Sequence, residues 1–412
     1  MPKNWSFLPF SNAFKQISII SKIKLKEYKT EGKFPIIDQG ENFISGYWNN
    51  DDDAIKEIPL IAFGDHTRRF KFISFPFVAG ADGLKLFSPL FTTPCFSYYM
   101  CLALSFPNKG YARHSSFLKK CIFPVPPLAE QERIVAKIEE LFAGIDAGVE
   151  NLKAVKNQIA RYRQSVLKSA FDGTLYKTTE WNIDVLKNLC SVISDGDHQP
   201  PPKAKNGIPF IMISNINKNI INFEDTNFVS ENYYTSLSEK RKPKWGDVLY
   251  SVVGSYGIPV LIDFQKEFCF QRHIALLRPN TNKIFSKFLF YMLRSRNVYN
   301  QATDCSTGTA QKTVPLSGLR EIHIPVPTLA EQERIVAEIE SRFERADALE
   351  TAVDRALNDA EKLKQAVLKK AFSGELVPQN PDDEPAFVLL DRIRAARASE
   401  QRANPKKGKQ KR

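Results

Sequence analysis

Apolar residues recur at spacings of three and four over two long stretches of the chain. In the first, one seam holds Ile138, Ile145, Leu152, Ile159 and Val166, and a second holds Ile134, Leu141, Gly148, Val155 and Tyr162. In the other stretch the seams are Ile339, Ala346, Val353, Ala360 and Val367, then Ile335, Arg342, Leu349, Ala356 and Leu363. Sustained over five heptads, this period predicts two long helices of the coiled-coil type, interrupted only at Gly148 and Arg342. Prolines precede each helix and cannot lie inside it. Gly173 and Gly374 follow, where a left-handed cap suits glycine. A helix over 131–172 would be roughly 60 Å long at 1.5 Å per residue.

The two stretches are copies. Leu128–Ala136 reads Leu-Ala-Glu-Gln-Glu-Arg-Ile-Val-Ala, and the same nine letters recur at Leu329–Ala337, an offset of 201. The offset also carries Pro124-Val125-Pro126 onto Pro325-Val326-Pro327, Val166-Leu167-Lys168 onto Val367-Leu368-Lys369, and Gly173 onto Gly374. The alanines of the second copy suit close approach to a bulkier partner, and the first copy offers Ile145 and Ile159. Intramolecular pairing is the simplest arrangement. The seam alone does not set its direction, but each helix follows a different globular block, so an antiparallel pair would place the blocks at opposite ends.

The blocks themselves, 1–123 and 177–324, are strand-rich. Short apolar runs at Ile58–Phe63, Phe72–Val78, Ile208–Ile213, Val248–Val253 and Ile274–Leu277 are bounded by Gly, Pro, Asp and Asn. Phe285–Arg294 reads as a helix. The blocks share only thin landmarks: Trp5 and Trp181 open them, and Gly110–His114 and Gly308–Lys312 close them. The expected fold is therefore α+β, with pseudo-twofold architecture: two mixed strand-rich domains (1–123 and 177–324) separated by two long helical segments (124–176 and 325–376) that pair as an antiparallel coiled coil. Residues 377–412 would be a linker, a short helix over Phe387–Ala398 and a basic disordered tail. Near-identical supports under divergent heads suggest fixed geometry with varied recognition.

Charge adds a direction. The net charge of +12 divides into +6 over 1–123, 0 over 124–176, +5 over 177–324, −4 over 325–399 and +5 over the tail. An excess lodged in the heads is the footprint of a polyanion binder, or else ordinary solubility. Six cysteines with no Cys-x-x-Cys pair read as free thiols in a reducing cytosol. Met1–Phe10 lacks the pattern of a secretory signal, and no apolar run reaches membrane-spanning length. The expected location is cytoplasmic. Chemistry is hard to find. There is no phosphate-cradling Gly-x-x-x-x-Gly-Lys-Ser/Thr and no Asn/Asp-Pro-Pro-Tyr/Phe, the signature of amino-methyltransferases. Asp51-Asp52-Asp53 reads as a solvated turn, and the five histidines have no ligand spacing. No catalytic or metal site is expected.

Taken together, the chain resembles the specificity subunits of type I restriction–modification enzymes. The resemblance rests on Ile324–Gln332 entering a long helix, its twin Phe123–Gln131, and the helix ends Lys168–Leu175 and Lys369–Leu376. Gly246–Ser251, Gln271–Pro279 and Gly308–Lys312 resemble the family's target-recognition domains, and Ile61–Arg68 and Pro76–Gly83 resemble another subgroup of them. The first block departs from the pattern by lacking a Gly-Asp-x-x-x-Ser stretch. The resemblance implies a non-catalytic subunit that binds a split, asymmetric double-stranded DNA site, one half per domain. It implies modification subunits, expected to be two, which methylate adenine from S-adenosylmethionine, and restriction subunits that use ATP and Mg2+ to cleave. No cofactor is expected on this chain. A strut of roughly 60 Å spans about 18 base pairs at 3.4 Å per step. Candidate DNA contacts are polar residues amid glycine-rich loops. They are His66, Thr67, Arg68, Arg69, Lys71, Arg113, His114 and Lys119 in the first head. In the second they are His198, Gln199, Ser255, Gln271, Arg272, Thr309, Gln311 and Lys312. The rival reading is an adaptor with two protein-binding heads on a coiled-coil strut, which does not explain why the charge sits in the heads.

Overall fold

A computed structural model describes residues 2–81, 83–106, 113–175, 181–196, 201–217, 219–309 and 311–403. The chain divides into two compact units, Met1–Leu152 with Arg355–Arg412, and Lys153–Asp354. Each unit combines one strand-rich block with part of both long helices, which run over Leu128–Phe171 and Leu329–Ser373.

Unit 1 contains β1 (Ser6–Pro9), β2 (Phe14–Ile17), β3 (Phe34–Ile37), β4 (Gly46–Trp48), β5 (Ala54–Ile55), β6 (Leu60–Gly64), β7 (Phe70–Ile73), β8 (Phe77–Ala79), β9 (Leu84–Pro89) and β10 (Ile122–Val125). One sheet has the order β2-β9-β6-β7 and a second has β4-β3-β8-β5, while β1 and β10 form a ribbon. The apolar run of β6 is buried throughout. Its alternate residues explain why: Ile61 and Phe63 enter one core, Leu60 and Ala62 another, so both faces of the central strand are covered. The first of these cores carries the sheet onto the long helices. There Phe87 and the fully buried Phe96 of the helix Pro94–Leu102 meet Ile134 and Ile138 of the first long helix and Val367, Leu368, Ala371 and Phe372 of the second.

Unit 2 contains β11 (Asn182–Val185), β12 (Cys190–Asp195), β13 (Ile208–Ile211), β14 (Ile216–Asn217), β15 (Ile220–Ile221), β16 (Asn227–Val229), β17 (Val248–Ser251), β18 (Pro259–Leu261), β19 (Cys269–Phe270), β20 (Ile274–Pro279) and β21 (His323–Val326). Its main sheet, β12-β20-β17-β18, repeats the order of the main sheet of unit 1, and β11–β21 repeats the ribbon. In both units a parallel pair, β3–β8 or β13–β19, anchors the second sheet. Val248 and Tyr250 of β17 face the core that includes Val166, Leu167, Ile335, Val336 and Ile339, while Leu249 faces the opposite one. The two heads thus share a fold that their sequences scarcely show. The greater length of the second is taken up by additions such as β14–β15 and the helix Arg296–Asp304.

Within each unit the long helices pack antiparallel. In unit 1 the start of the first meets the end of the second, and in unit 2 the end of the first meets the start of the second. The repeat duplicates even the ion pairs. Lys364 bonds Asp146 in unit 1, and Arg163 bonds Asp347 in unit 2, where each residue lies 201 positions from its counterpart. The pairing uses mainly one of the two expected seams. Ile138, Ile159, Val166, Ile339, Ala346, Val353 and Val367 are buried, whereas Tyr162, Leu349 and Leu363 of the other seam remain exposed. A pair of helices covers only a narrow strip of each. The run Phe72–Val78 also differs from expectation. It is two strands, because Ser74-Phe75-Pro76 turns the chain between β7 and β8.

The repeated Gln131 and Gln332 show why the helix junction is so constant. Gln131 is fully buried. Its Nε2 donates to the Pro126 carbonyl (2.9 Å) and its Oε1 accepts from the Thr93 amide (2.8 Å), locking the helix start to the helix Pro94–Leu102. Gln332 does the same with the Pro327 carbonyl (2.9 Å) and the Phe285 amide (2.7 Å). Glu130 and Glu331 have diverged. Glu130 accepts from Trp5 Nε1 (2.9 Å) inside unit 1, while Glu331 forms a reciprocal cap with Thr328. The segment after the second long helix closes on unit 1, where Asp383 pairs with Arg133 (2.6 Å) and Ala386 N–H donates to the Asn4 carbonyl (3.1 Å).

Candidate nucleic-acid interface

In unit 1 the candidates converge on the turn between β6 and β7. The turn closes through Gly64 N–H to Arg69 O (2.9 Å) and Arg68 N–H to Gly64 O (2.7 Å), with Arg68 in the left-handed region at φ 63°. The buried Asp65 fixes its position. Its Oδ1 accepts from the His114 amide (2.9 Å) and the Ser115 amide (2.7 Å), and its Oδ2 from Ser115 Oγ (3.2 Å), tying the turn to the short helix Ser115–Leu118. Gln39, which sequence reasoning missed, supports the other side. Its carbonyl accepts from Thr67 Oγ1 (2.7 Å) and its side-chain oxygen from the His66 amide (3.3 Å). Gly83 holds a φ of 93°, which favours glycine, and a Cβ there would also displace the amide end of the Gln39 side chain. Arg69 is exposed and paired with Glu41 at 2.9 Å.

Two unit 1 candidates are not surface groups, and the expectation that they contact DNA is corrected accordingly. Lys71 is buried and donates to the carbonyls of Asp38 (2.9 Å) and Asn42 (2.6 Å). Burial lowers its pKa, partly opposed by the Asp38 carboxylate nearby. Its charge staples the loop 38–42 beneath the turn. His114 is fully buried, with Nδ1 at 3.1 Å from the Asp65 carbonyl. It is the floor of the site. Arg113 is exposed and adjoins His114, so it borders the turn, whereas exposed Lys119 lies beyond the short helix with no described bond to it.

In unit 2 three loops meet at the corresponding edge. Gly254 N–H donates to Lys312 O (3.0 Å), Val314 N–H to Val252 O (2.8 Å), and Val252 N–H to His273 O (2.9 Å). These bonds bring Ser255, Gln271, Arg272, Thr309, Gln311 and Lys312 to one edge, and all but the partly buried Gln271 are exposed. Between the loops lies a cleft of about 370 Å³. Val252, Val253, Val314 and Leu316 give it an apolar floor, and Asp195, Arg272, His273 and Gln311 a polar rim. Burial and the Arg272 guanidinium lower the His273 pKa. Gly196 packs on the backbone here, since a Cβ would sit 2.0 Å from the Phe270 carbonyl oxygen. His198 and Gln199 lie outside the described residues. Such an edge offers guanidinium and amide groups suited to guanine and adenine edges, beside cations suited to phosphates. Among the described residues no cluster of three His, Cys, Asp or Glu could hold a metal ion, and no helix is long and apolar enough to cross a membrane.

Comparison with known proteins adds a family. A family model described as the type I restriction modification DNA specificity domain matches residues 15–159 and 179–358. The specificity subunit of the type I restriction enzyme EcoBI of Escherichia coli is 30% identical over 316 residues, covering 69% of this chain and 66% of that protein. That of StySPI from Salmonella potsdam is 29% identical over 301 residues, covering 67% and 64%. The chain thus spans just under two thirds of the length of these curated relatives. Among solved structures, a chain from a study of complex assembly and conformational transition of the type I R-M system aligns with a TM-score of 0.66 at 20% identity, over 91% of this chain and 99% of that one. The HsdS subunit from Thermoanaerobacter tengcongensis aligns at 0.51 and 19% identity, over 91% and 98%. At these identities the likeness is one of fold.

Proposed function

The chain belongs to the type I restriction–modification DNA specificity family, and from that premise we propose that it reads DNA sequence for a larger enzyme and performs no chemistry itself. Each unit reads one half of a bipartite, asymmetric double-stranded site. Modification subunits, two of them, methylate adenine from S-adenosylmethionine, and restriction subunits use ATP and Mg2+ to cleave unmodified DNA in the cytoplasm. Exposed Leu349 in unit 2 and Leu363 in unit 1, both on the second long helix, offer apolar positions for a modification subunit.

One observation carries the reading. Two heads with the same sheet order present differently equipped loops at the same edge, Arg68, Arg69 and Arg113 in unit 1, and Gln271, Arg272, Gln311 and Lys312 in unit 2. A common frame carrying unlike polar groups, for base edges and for phosphates, suits two unlike half-sites. Binding of the full chain to duplex DNA over a range of salt concentrations tests it. Several phosphate contacts predict a steep loss of affinity with salt. A flat response would favour the adaptor reading instead.

A further inference from the structure

The two units also share a cleft on the flank of the β6–β7 hairpin of unit 1 and the β17–β18 hairpin of unit 2, and its charge is supplied in two different ways. The register is set by the buried glutamines. Gln131 binds the amide of Thr93 and Gln332 that of Phe285, so Pro94–Leu102 corresponds residue by residue to Ser286–Arg294, the second helix and its cap. Phe96 then matches Phe288, both fully buried. Tyr99 lies edge-on to Phe142 as Tyr291 does to Phe343, and these phenylalanines are themselves 201 apart. In this register Leu102 and Leu104 of unit 1 correspond to Arg294 and Arg296 of unit 2.

Both pairs line a cleft between the end of that helix and the neighbouring hairpin, about 300 Å³ in unit 1 and about 330 Å³ in unit 2. In unit 1 the helix end is apolar and the hairpin brings Arg68 and Arg69. In unit 2 the hairpin brings Gly257, Ile258 and Pro259, and the helix end brings the two arginines. Opposite walls thus deliver the same two guanidinium groups. A structural requirement of the fold does not explain this, because each wall does without arginine in the other unit.

Arg69 shares its cleft with Glu41, its exposed ion-pair partner, but Arg68 and Arg294 are short of acceptors. Arg294 is half-buried, with its guanidinium 5.1 to 5.5 Å from the rings of Phe290, Tyr291 and Phe343, and that guanidinium has no hydrogen-bond or ion-pair partner among the described residues. Burial lowers its pKa, opposed by Tyr291 and by the Asp347 carboxylate, while the nearby Arg163 adds to the lowering and engages Asp347 and Glu350 itself. The Arg68 guanidinium likewise has no partner among the described residues. The residue holds a positive φ that glycine would adopt freely. Guanidinium groups kept at such positions with their donors open to a cleft call for an oxyanion.

Building on the DNA-reading function, we propose that in each unit this cleft seats a backbone phosphate of the duplex, held by Arg68 and Arg69 in unit 1 and by Arg294 and Arg296 in unit 2. The site fixes the position of the half-site and reads no base. The test is the salt dependence of binding by the full chain, comparing wild type with Arg294→Leu/Arg296→Leu, which installs the residues unit 1 already has there, and with Arg68→Gly/Arg69→Ala. Each lost contact should lower the slope of log affinity against log salt by about 0.9, and cognate and scrambled duplexes should weaken by the same factor. Arg296→Leu alone, at an exposed position, serves if the double variant misfolds. An unchanged slope, or a changed base preference, overturns the proposal. So does inorganic phosphate at constant ionic strength raising the melting temperature of the wild type alone while the DNA slope stays the same in the variant, which would assign the cleft to a free anion. A wild type with neither salt dependence nor site preference would instead refute the DNA reading itself.

Discussion

Asp65 offers the sharpest test of how the unit 1 turn is held. Both backbone amides that it receives, from His114 and Ser115, go to the same oxygen, Oδ1. Asp65→Asn can therefore keep both bonds through its amide oxygen, with its NH2 turned to Ser115 Oγ, losing only the assistance of the charge. Asp65→Ala removes the acceptor. The His114 amide retains a second bond, to the Asp65 carbonyl at 3.0 Å, so the main loss is the Ser115 amide together with the charged component of the other bond. Hydrogen bonds to charged groups contribute about 1.5–3 kcal/mol each; the Ser115 amide bond is lost outright and the His114 bond in part, while the long Ser115 Oγ bond passes to water. The alanine variant should cost about 2–4 kcal/mol and the asparagine variant about 1 kcal/mol. Urea unfolding measures the difference, and amide hydrogen exchange locates it, with Ser115 losing protection in the alanine variant only. DNA selection should then show the unit 1 half-site degraded and the unit 2 half-site unchanged. Equal costs for the two variants, or less than about 1 kcal/mol for alanine, would refute the reasoning.

Other perturbations follow from the same contacts. Gly144 and Gly148 sit inside the first long helix with nothing within 4 Å of an added Cβ, so alanine at each should stabilise by about 0.8–1 kcal/mol in urea unfolding. Gly196→Ala should do the reverse, because its Cβ would strike the Phe270 carbonyl, and binding by unit 2 should fall while unit 1 reads as before. Asp383→Ala leaves Arg133 without its bidentate partner and should loosen the segment 380–390, measurable as faster proteolysis after the second long helix. The lowered pKa of His273 has a definite sign. The unfolded chain takes up a proton near 6.5 while the folded one resists until a lower pH, so stability falls as pH drops below about 6.5. His273→Gln should lose less between pH 7.5 and 5.5, as read from urea midpoints.

The sequence made the long helices legible because a repeat of near-identical letters exposes both their ends and their kinship. It also singled out loops that the fold gathers at one edge of each head, since Gly64–Arg69, Gln271–Arg272 and Gly308–Lys312 stand out as polar, glycine-marked loops. What it hid were relations between distant segments. The common sheet order of the heads lies in hydrogen-bond register, which diverged side chains do not reveal. Gln39 and the pair Arg294 and Arg296 reach their sites from separate stretches of chain and carry no local signature. Lys71 and His114 misled for a related reason, because a basic residue in a polar run looks like a surface group until its carbonyl acceptors are known. The exposure of Leu349 and Leu363 was also unforeseeable, as a heptad records both seams without saying how many partners will cover them.

The central claim is that two like frames read two unlike half-sites. Selection of binding sequences from a randomised duplex pool by the full chain with its modification partners tests it directly, once with the wild type and once with Gln311→Ala in unit 2. The account predicts two separated, dissimilar blocks of preferred bases, of which the variant relaxes one and spares the other. A single continuous block, or a substitution that alters both blocks together, would contradict it.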